Sequence, residues 1–164
     1  MPAAATAAHG QIVLEGIHAV VPPVFQTMAG LSAEPGTVFQ PVQQPLVLQG
    51  VAGAIGLSGK VSGMVYTSFG KGLASFIAEK ILGSVSSDQD LSDVVAELTN
   101  MVTGNLKSRF SDLGYNCTLT PPSVVAGNKI SVNPKNCTIG VGLEFLVEGS
   151  PEPLCVYFFG VFNQ

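Results

Sequence analysis

Ser87-Asp-Gln-Asp-Leu-Ser-Asp-Val-Val-Ala-Glu97-Leu-Thr-Asn100-Met-Val-Thr-Gly104-Asn-Leu-Lys-Ser-Arg-Phe-Ser-Asp-Leu-Gly114 decides the fold, because it is the longest segment of the chain with one unbroken period. Leu91, Val94, Val95, Leu98, Met101, Val102, Leu106, Phe110 and Leu113 recur every three or four residues, the spacing of one helical face. Ser87 is an N-cap residue, Asp88, Asp90 and Asp93 lie in the first turns where the helix dipole favours anions, and Lys107 and Arg109 lie near the other end. Gly114 is a natural stop. The spacing predicts a helix over Asp88–Leu113, about 39 Å long at 1.5 Å per residue.

Downstream of this helix the period changes to that of strands, at Cys117–Thr120, Ser123–Ala126, Thr138–Glu148 and Leu154–Phe162, with Gly149-Ser150-Pro151 joining the last two. Upstream, Lys71–Leu82 reads as a short helix stopped by Gly83. Val51–Leu57 and Lys60–Ser68 read as strands about a Ser58-Gly59 turn. Ser32–Pro45 holds three prolines and no period, and reads as a loop. Gln11–Leu31 has helical spacing through Ile12, Val13, Ile17, Val20, Val21, Val24, Phe25 and Met28, with Pro22-Pro23 predicting a kink or a restart. The first ten residues, with neither a basic nor an apolar region of a signal peptide, read as a flexible tail. Helices segregated from antiparallel strands predict an α+β fold, one antiparallel sheet with the helices packed on one face, in a single domain over residues 11–164.

Charged residues make up only 11% of the 164, against 46% apolar. The usual charged share is about 25%. Seven Lys and Arg against 11 Asp and Glu leave a net charge of −4. So few cations exclude a nucleic-acid or anionic-membrane footprint, and no run reads as long and apolar enough to span a bilayer. Cys117, Cys137 and Cys155 are odd in number and widely spaced, which fits free thiols in a reducing cytoplasm. Thr138–Glu148 and Leu154–Phe162 carry almost no charge to guard a sheet edge, so a homodimer through sheet edges is expected.

The usual catalytic signatures are missing. Lys60 follows Gly59, but Ala54 and Val61 stand where a phosphate-binding loop needs Gly and Ser or Thr. Phe145 replaces the third glycine after Gly140-Val141-Gly142, and there is no G-x-S-x-G elbow. His9 and His18 are the two histidines, too few for a histidine-rich metal site. What remains is the polar side of the long helix. Asp93, Glu97, Asn100 and Gly104, spaced +4, +3 and +4, line one face opposite the apolar stripe.

Asp93-x3-Glu97-x2-Asn100, followed after 21 residues by Pro122, resembles the pattern of the CheC/CheX/FliY family of chemotaxis phosphatases. Glu97-Leu-Thr-Asn100-Met-Val-Thr-Gly104-Asn105 and Thr120-Pro-Pro-Ser-Val-Val-Ala-Gly127 are closest to its CheX branch, and the likeness runs from about Gln11 to the carboxyl end. The resemblance implies hydrolysis of the aspartyl phosphate of a CheY-like response regulator in chemotaxis or two-component signalling. It implies that Asn100 holds the attacking water, that Glu97 docks the receiver's lysine, and that Asp93, Gly104 and Pro122 belong to the partner-binding surface. No cofactor of its own is implied, since the receiver brings its Mg2+. Relatives of this kind dimerise through their sheets, and several carry the motif twice. Here the first helix offers Glu15-Gly-Ile-His18-Ala-Val-Val-Pro22, with His at the Asn position, which implies one active site. The rival reading is a non-catalytic receiver-binding or flagellar-switch module of the same fold.

Overall fold

The computed structural model describes residues 3–163. Its elements are α1 (Ala3–Ala29), β1 (Ala33–Phe39), β2 (Leu46–Gly59), β3 (Val61–Phe69), α2 (Lys71–Leu82), α3 (Asp88–Asp112), β4 (Cys117–Leu119), β5 (Ser123–Val132), β6 (Ile139–Val147) and β7 (Leu154–Phe162). The strands form one sheet in the order β1-β6-β7-β3-β2-β4, with β5 also paired to β2, and every pairing is antiparallel. All three helices share a core with one face of this sheet, in which Phe25, Phe110, Phe145 and Phe158 are fully buried. A smaller cluster of Val42, Leu46, Leu48, Ala52, Tyr157 and Phe159 lies apart from it and includes no helix residue. This is the α+β fold expected.

The order of the strands shows an internal repeat. The unit α1-β1-β2-β3 corresponds to α3-β5-β6-β7, because exchanging the halves turns the β1–β6–β7 run into β5–β2–β3 while β3 and β7 pair at the centre. The helices α1 and α3 therefore occupy equivalent places, and their polar faces can be compared directly.

The long helix forms as its sequence dictates. Ser87 accepts a hydrogen bond from the Asp90 amide at 3.3 Å. At the other end Gly114 has φ +90°, its N–H donates to Ser111 O at 2.9 Å, and the Tyr115 N–H donates to Phe110 O at 2.8 Å. Those two bonds satisfy the last carbonyls of the helix. The N-terminus of α2 has no cap of its own on Gly70; instead Glu152, from the β6–β7 connection, accepts from the Leu73 amide at 2.5 Å.

Several expectations are corrected. Residues 3–10, expected as a tail, are the opening turns of α1; Met1 and Pro2 lie outside the described residues. The His9 ring stacks on Phe162 at 4.4 Å and meets Tyr115 edge-on, which ties this end to the sheet. The helix continues through Pro22 and Pro23. The two prolines remove the donors for the carbonyls of His18 and Ala19, two exposed residues. With these additions α1 is 27 residues long and apolar enough by length and composition to cross a bilayer, contrary to expectation; here Val13, Ile17, Val20, Val21 and Phe25 are buried in the core.

The segment expected as a loop contains β1, whose Ala33–Phe39 pairs with β6 despite its Pro and Gly. The strands β2 and β5 run well beyond the predicted Val51–Leu57 and Ser123–Ala126. As a result β6 and β7, expected to expose an edge, are interior strands covered by β1 and β3. The free edges belong to β1, which carries Glu34, Pro35 and a register shift, and to the β4–β5 side, where β5 has Lys129 as its one charge.

Candidate functional site

The candidate site is built on α3, and its first support is the capped N-terminus. The Ser86 N–H and hydroxyl both donate to Asp90 Oδ2 at 2.9 Å, and these bonds hold the Asp90 carboxyl below its ordinary value. The second support is the apolar stripe, in which Leu91, Val95, Leu98, Val102, Leu106 and Phe110 are buried against the sheet and α1.

Opposite that stripe, Asp93, Glu97 and Asn100 are all exposed. The Gln89 side chain donates to Asp93 Oδ1 at 2.7 Å, so Asp93 is partly engaged. Among the described residues no hydrogen bond or ion pair occupies the side chain of Glu97 or Asn100. A carboxylate and an amide one turn apart thus stand free on a rigid helix. Beside them a groove of about 230 Å³ is lined by Met28, Ile81, Leu82 and Val94, with Asp90, Asp93 and Glu97 at its polar side. Gly104 lies one turn beyond Asn100, half-buried, and a Cβ added there would meet nothing within 4 Å. Packing within the chain does not require this glycine, and in a helix interior it costs roughly 1 kcal/mol relative to alanine.

Pro122 is half-buried in the connection between β4 and β5. The connection is tied to β2: Thr120 N–H donates to Gly56 O at 3.0 Å, and its hydroxyl accepts from the Gly56 amide at 2.8 Å. Ser123 and Val124 then face Ala54 and Gly53. Pro122 thus lies at the edge of the sheet, next to the strand that pairs with β2 where Thr99 of α3 approaches Gly53. The structure therefore gathers Asp93, Glu97, Asn100 and Gly104 into one row and sets Pro122 on a neighbouring element.

The equivalent face of α1 is built differently. Glu15 and His18 are exposed there, but Gln11 Nε2 donates to Glu15 Oε1 at 3.2 Å. A groove of about 430 Å³ between α1 and β1 includes both residues together with Pro35 and Val38. His18 has neither the amide of Asn100 nor a glycine one turn on.

Sequence reasoning missed the polar anchors beneath the site. Thr67 and Thr99 are buried, and their hydroxyl oxygens are 2.6 Å apart. They lie inside an apolar stripe, so period alone does not distinguish them. The available signal was a glycine, Gly53, in the middle of a strand, which marks a close approach. Among the described residues there is no group of three or more His, Cys, Asp or Glu placed to hold a metal ion.

The family model described as chemotaxis phosphatase CheX matches residues 51–145, more than half of the chain and inclusive of Asp93, Glu97, Asn100, Gly104 and Pro122. The CheY-P phosphatase CheX of Thermotoga maritima is 30% identical over 81 residues, 48% of this chain and 52% of that protein. The chain thus spans about half the length of the curated relative it matches. The solved structure of chemotaxis protein CheX from Desulfovibrio desulfuricans has a TM-score of 0.81 at 23% identity, covering 91% of this chain and 99% of the other. CheX in the CheX-CheY-BeF3-Mg+2 complex from Borrelia burgdorferi has a TM-score of 0.73 at 19% identity, covering 93% and 98%. These two likenesses establish the fold.

Proposed function

The chain belongs to the family of CheX chemotaxis phosphatases, and on that premise we propose that it hydrolyses the aspartyl phosphate of a CheY-like receiver domain. The observation that supports this most is the row of Glu97 and Asn100, whose side chains have no partner among the described residues, on a capped helix whose next turn is opened by Gly104. A relative of the same fold was solved bound to CheY with BeF3 and Mg2+.

An acyl phosphate in a receiver has its own metal ion and lysine, so hydrolysis chiefly requires a water held in line with the Asp–phosphate bond. In this reading the Asn100 amide holds that water by hydrogen bonding, its carbonyl oxygen accepting a hydrogen bond and its NH2 donating one. The Glu97 carboxylate pairs with the receiver's lysine and sets the angle at which α3 enters. Neither residue forms a covalent intermediate. The reaction takes place in the cytoplasm with the receiver, where Cys117, Cys137 and Cys155 remain free thiols. The test is direct: incubate the chain with phosphorylated receivers and follow loss of the phosphoryl group; no acceleration with any cognate receiver rejects the reading.

Gly104 offers a second check. Gly104→Ala should raise the stability of the free chain by roughly 0.5–1 kcal/mol, whereas Gly104→Leu should weaken receiver binding at least about tenfold, near 1.4 kcal/mol. Denaturant titration reads the first and binding of a phosphoryl-mimic receiver the second. Unchanged binding by the leucine variant means that no partner approaches at this turn.

We also propose a homodimer through sheet edges, now assigned to β5. That strand is ten residues long and has one charge, Lys129, whereas β1 is broken by Pro35 and a register shift. Light scattering over a dilution series should give twice the 16.9 kDa chain mass; a stable monomer at micromolar concentration rejects the dimer.

A further inference from the structure

We propose that the buried Thr67–Thr99 hydrogen bond, seated over Gly53, is a positioning device that fixes the roll and height of α3 so that Asn100 and Glu97 address the receiver. This rests on the phosphatase reading above and assigns to that reaction three residues that do not touch the substrate.

The bond has a defined direction. Thr99 Oγ1 donates its one proton to Val95 O at 2.6 Å, so Thr67 on β3 is the donor in the 2.6 Å contact between the two hydroxyls. Thr103 continues the chain by donating to Thr99 O at 2.7 Å. All three threonines are buried, with Thr99 and Thr103 at 0% exposure and Thr67 at 1%. A Cβ built on Gly53 would overlap the Thr99 hydroxyl, and would come within 2.8 Å of Thr99 Cβ and 2.9 Å of Thr67 Oγ1. The Thr99 side chain therefore occupies the space that a side chain at residue 53 would need, and α3 approaches the sheet closely at that point.

Apart from Thr99 and Thr103, the buried face of α3 is Leu, Val and Phe, and apolar burial is non-directional, so it fixes the roll of the helix less sharply than a directed bond. A hydrogen bond between two buried hydroxyls is such a bond, because it weakens steeply with angle and leaves unpaired groups when broken. Among the described residues this is the one hydrogen bond that joins α3 to a strand of the sheet. At about 100° per residue, Asn100, Asp93, Gly104 and Glu97 lie roughly 100°, 120°, 140° and 160° round the helix from Thr99. Pinning Thr99 downward therefore turns this row outward, and the pin acts within one residue of the proposed water-holding amide. Catalysis by positioning is sensitive to such placement: a displacement of about 1 Å can cost 10²-fold in rate.

The test compares Thr99→Val, Thr99→Ser and the double variant Thr67→Val/Thr99→Val with the parent, below the unfolding temperature of each. Expected for Thr99→Val is a fall in kcat of at least about tenfold that exceeds any rise in KM, because holding a water in line demands closer placement than the docking contacts of Glu97 and Gly104. Thr99→Ser keeps the hydroxyl and should remain close to parental. The double variant removes both polar groups and should recover stability but not kcat, which separates orientation from folding. A crystal structure of Thr99→Val, superposed on the sheet, should show Asn100 displaced. Parental kcat in Thr99→Val or in the double variant, or an unmoved α3, overturns the positioning role while leaving the phosphatase reading intact. A parent inactive on every cognate phosphorylated receiver overturns that reading instead, and with it the reaction the device serves.

Discussion

Asn100→Ala is expected to slow dephosphorylation of the receiver by on the order of 10²-fold or more, the usual consequence of deleting one positioning group aimed at the reacting atoms. The same change should leave the fold untouched. Asn100 is exposed, its side chain makes no hydrogen bond among the described residues, and it lies in a helix interior where alanine has the better propensity, so stability should shift by less than about 1 kcal/mol. Receiver binding should also persist, because the ion pair assigned to Glu97 is still available. The discriminating measurement is therefore kcat alongside affinity for a phosphoryl-mimic receiver. If the alanine variant works at the parental rate, the water is held by something other than Asn100. If it loses binding in proportion to rate, Asn100 is a docking residue and its catalytic assignment fails. Asn100→His, which imitates the residue at the equivalent place on α1, should be as inactive as the alanine variant; activity there would bring the α1 face back as a second site.

The helix bearing this site was legible because every local signal agreed. Ser87, the acidic first turns, nine apolar positions at one period and Gly114 all specify the same element, and the structure places its ends within a residue of the prediction. The polar row on its back was legible for the same reason, since a 3.6-residue period assigns a face without knowledge of the rest of the fold. Strand β1 was not. Ala33–Phe39 has neither alternation nor high β-propensity, and it is ordered by partners distant in sequence: the β6 ladder, Glu144 accepting from the Thr37 amide and Glu148 accepting from the Ser32 amide. Missing β1 in turn made β6 look like an edge, because edge status depends on sheet order and sequence supplies only strands. The opening turns of α1 were a misreading of a different sort. An alanine-rich run has high intrinsic helix propensity, and His9 against Phe162 gives it a place to dock. Of the Gly53–Thr67–Thr99 contact only the mid-strand glycine was a signal; its partners could not be read, since they lie 14 and 46 positions from Gly53 and their meeting depends on the way α3 crosses the sheet.

Glu97→Lys is expected to produce the largest loss of receiver binding, and the comparison with Glu97→Gln shows why. Glutamine removes the charge but keeps the shape and hydrogen-bonding capacity of the side chain, so its cost should be roughly tenfold, near 1.4 kcal/mol. Lysine places a cation where the receiver's own lysine is to sit, adding like-charge repulsion that the interface must exclude, for a loss of about 10²-fold or more. Substitution at this exposed position should not destabilise the free chain, which can be verified by its unfolding midpoint. Reversing the receiver's lysine to glutamate should restore part of the binding to Glu97→Lys, and a double-mutant cycle then gives the coupling energy of the two sites. A value of about 1.5 kcal/mol or more is the signature of a close charge pair in an interface, whereas exposed pairs on a free surface give 1 kcal/mol or less. The salt dependence of the parent separates the remaining possibilities: a pair buried at the centre of the contact is weakly screened, while a rim pair loses its contribution as the Debye length shrinks from about 10 Å to 3 Å between 0.1 M and 1 M salt. Zero coupling at every salt concentration would remove Glu97 from the docking geometry and leave Asn100 as the one residue of the row with a role in the reaction.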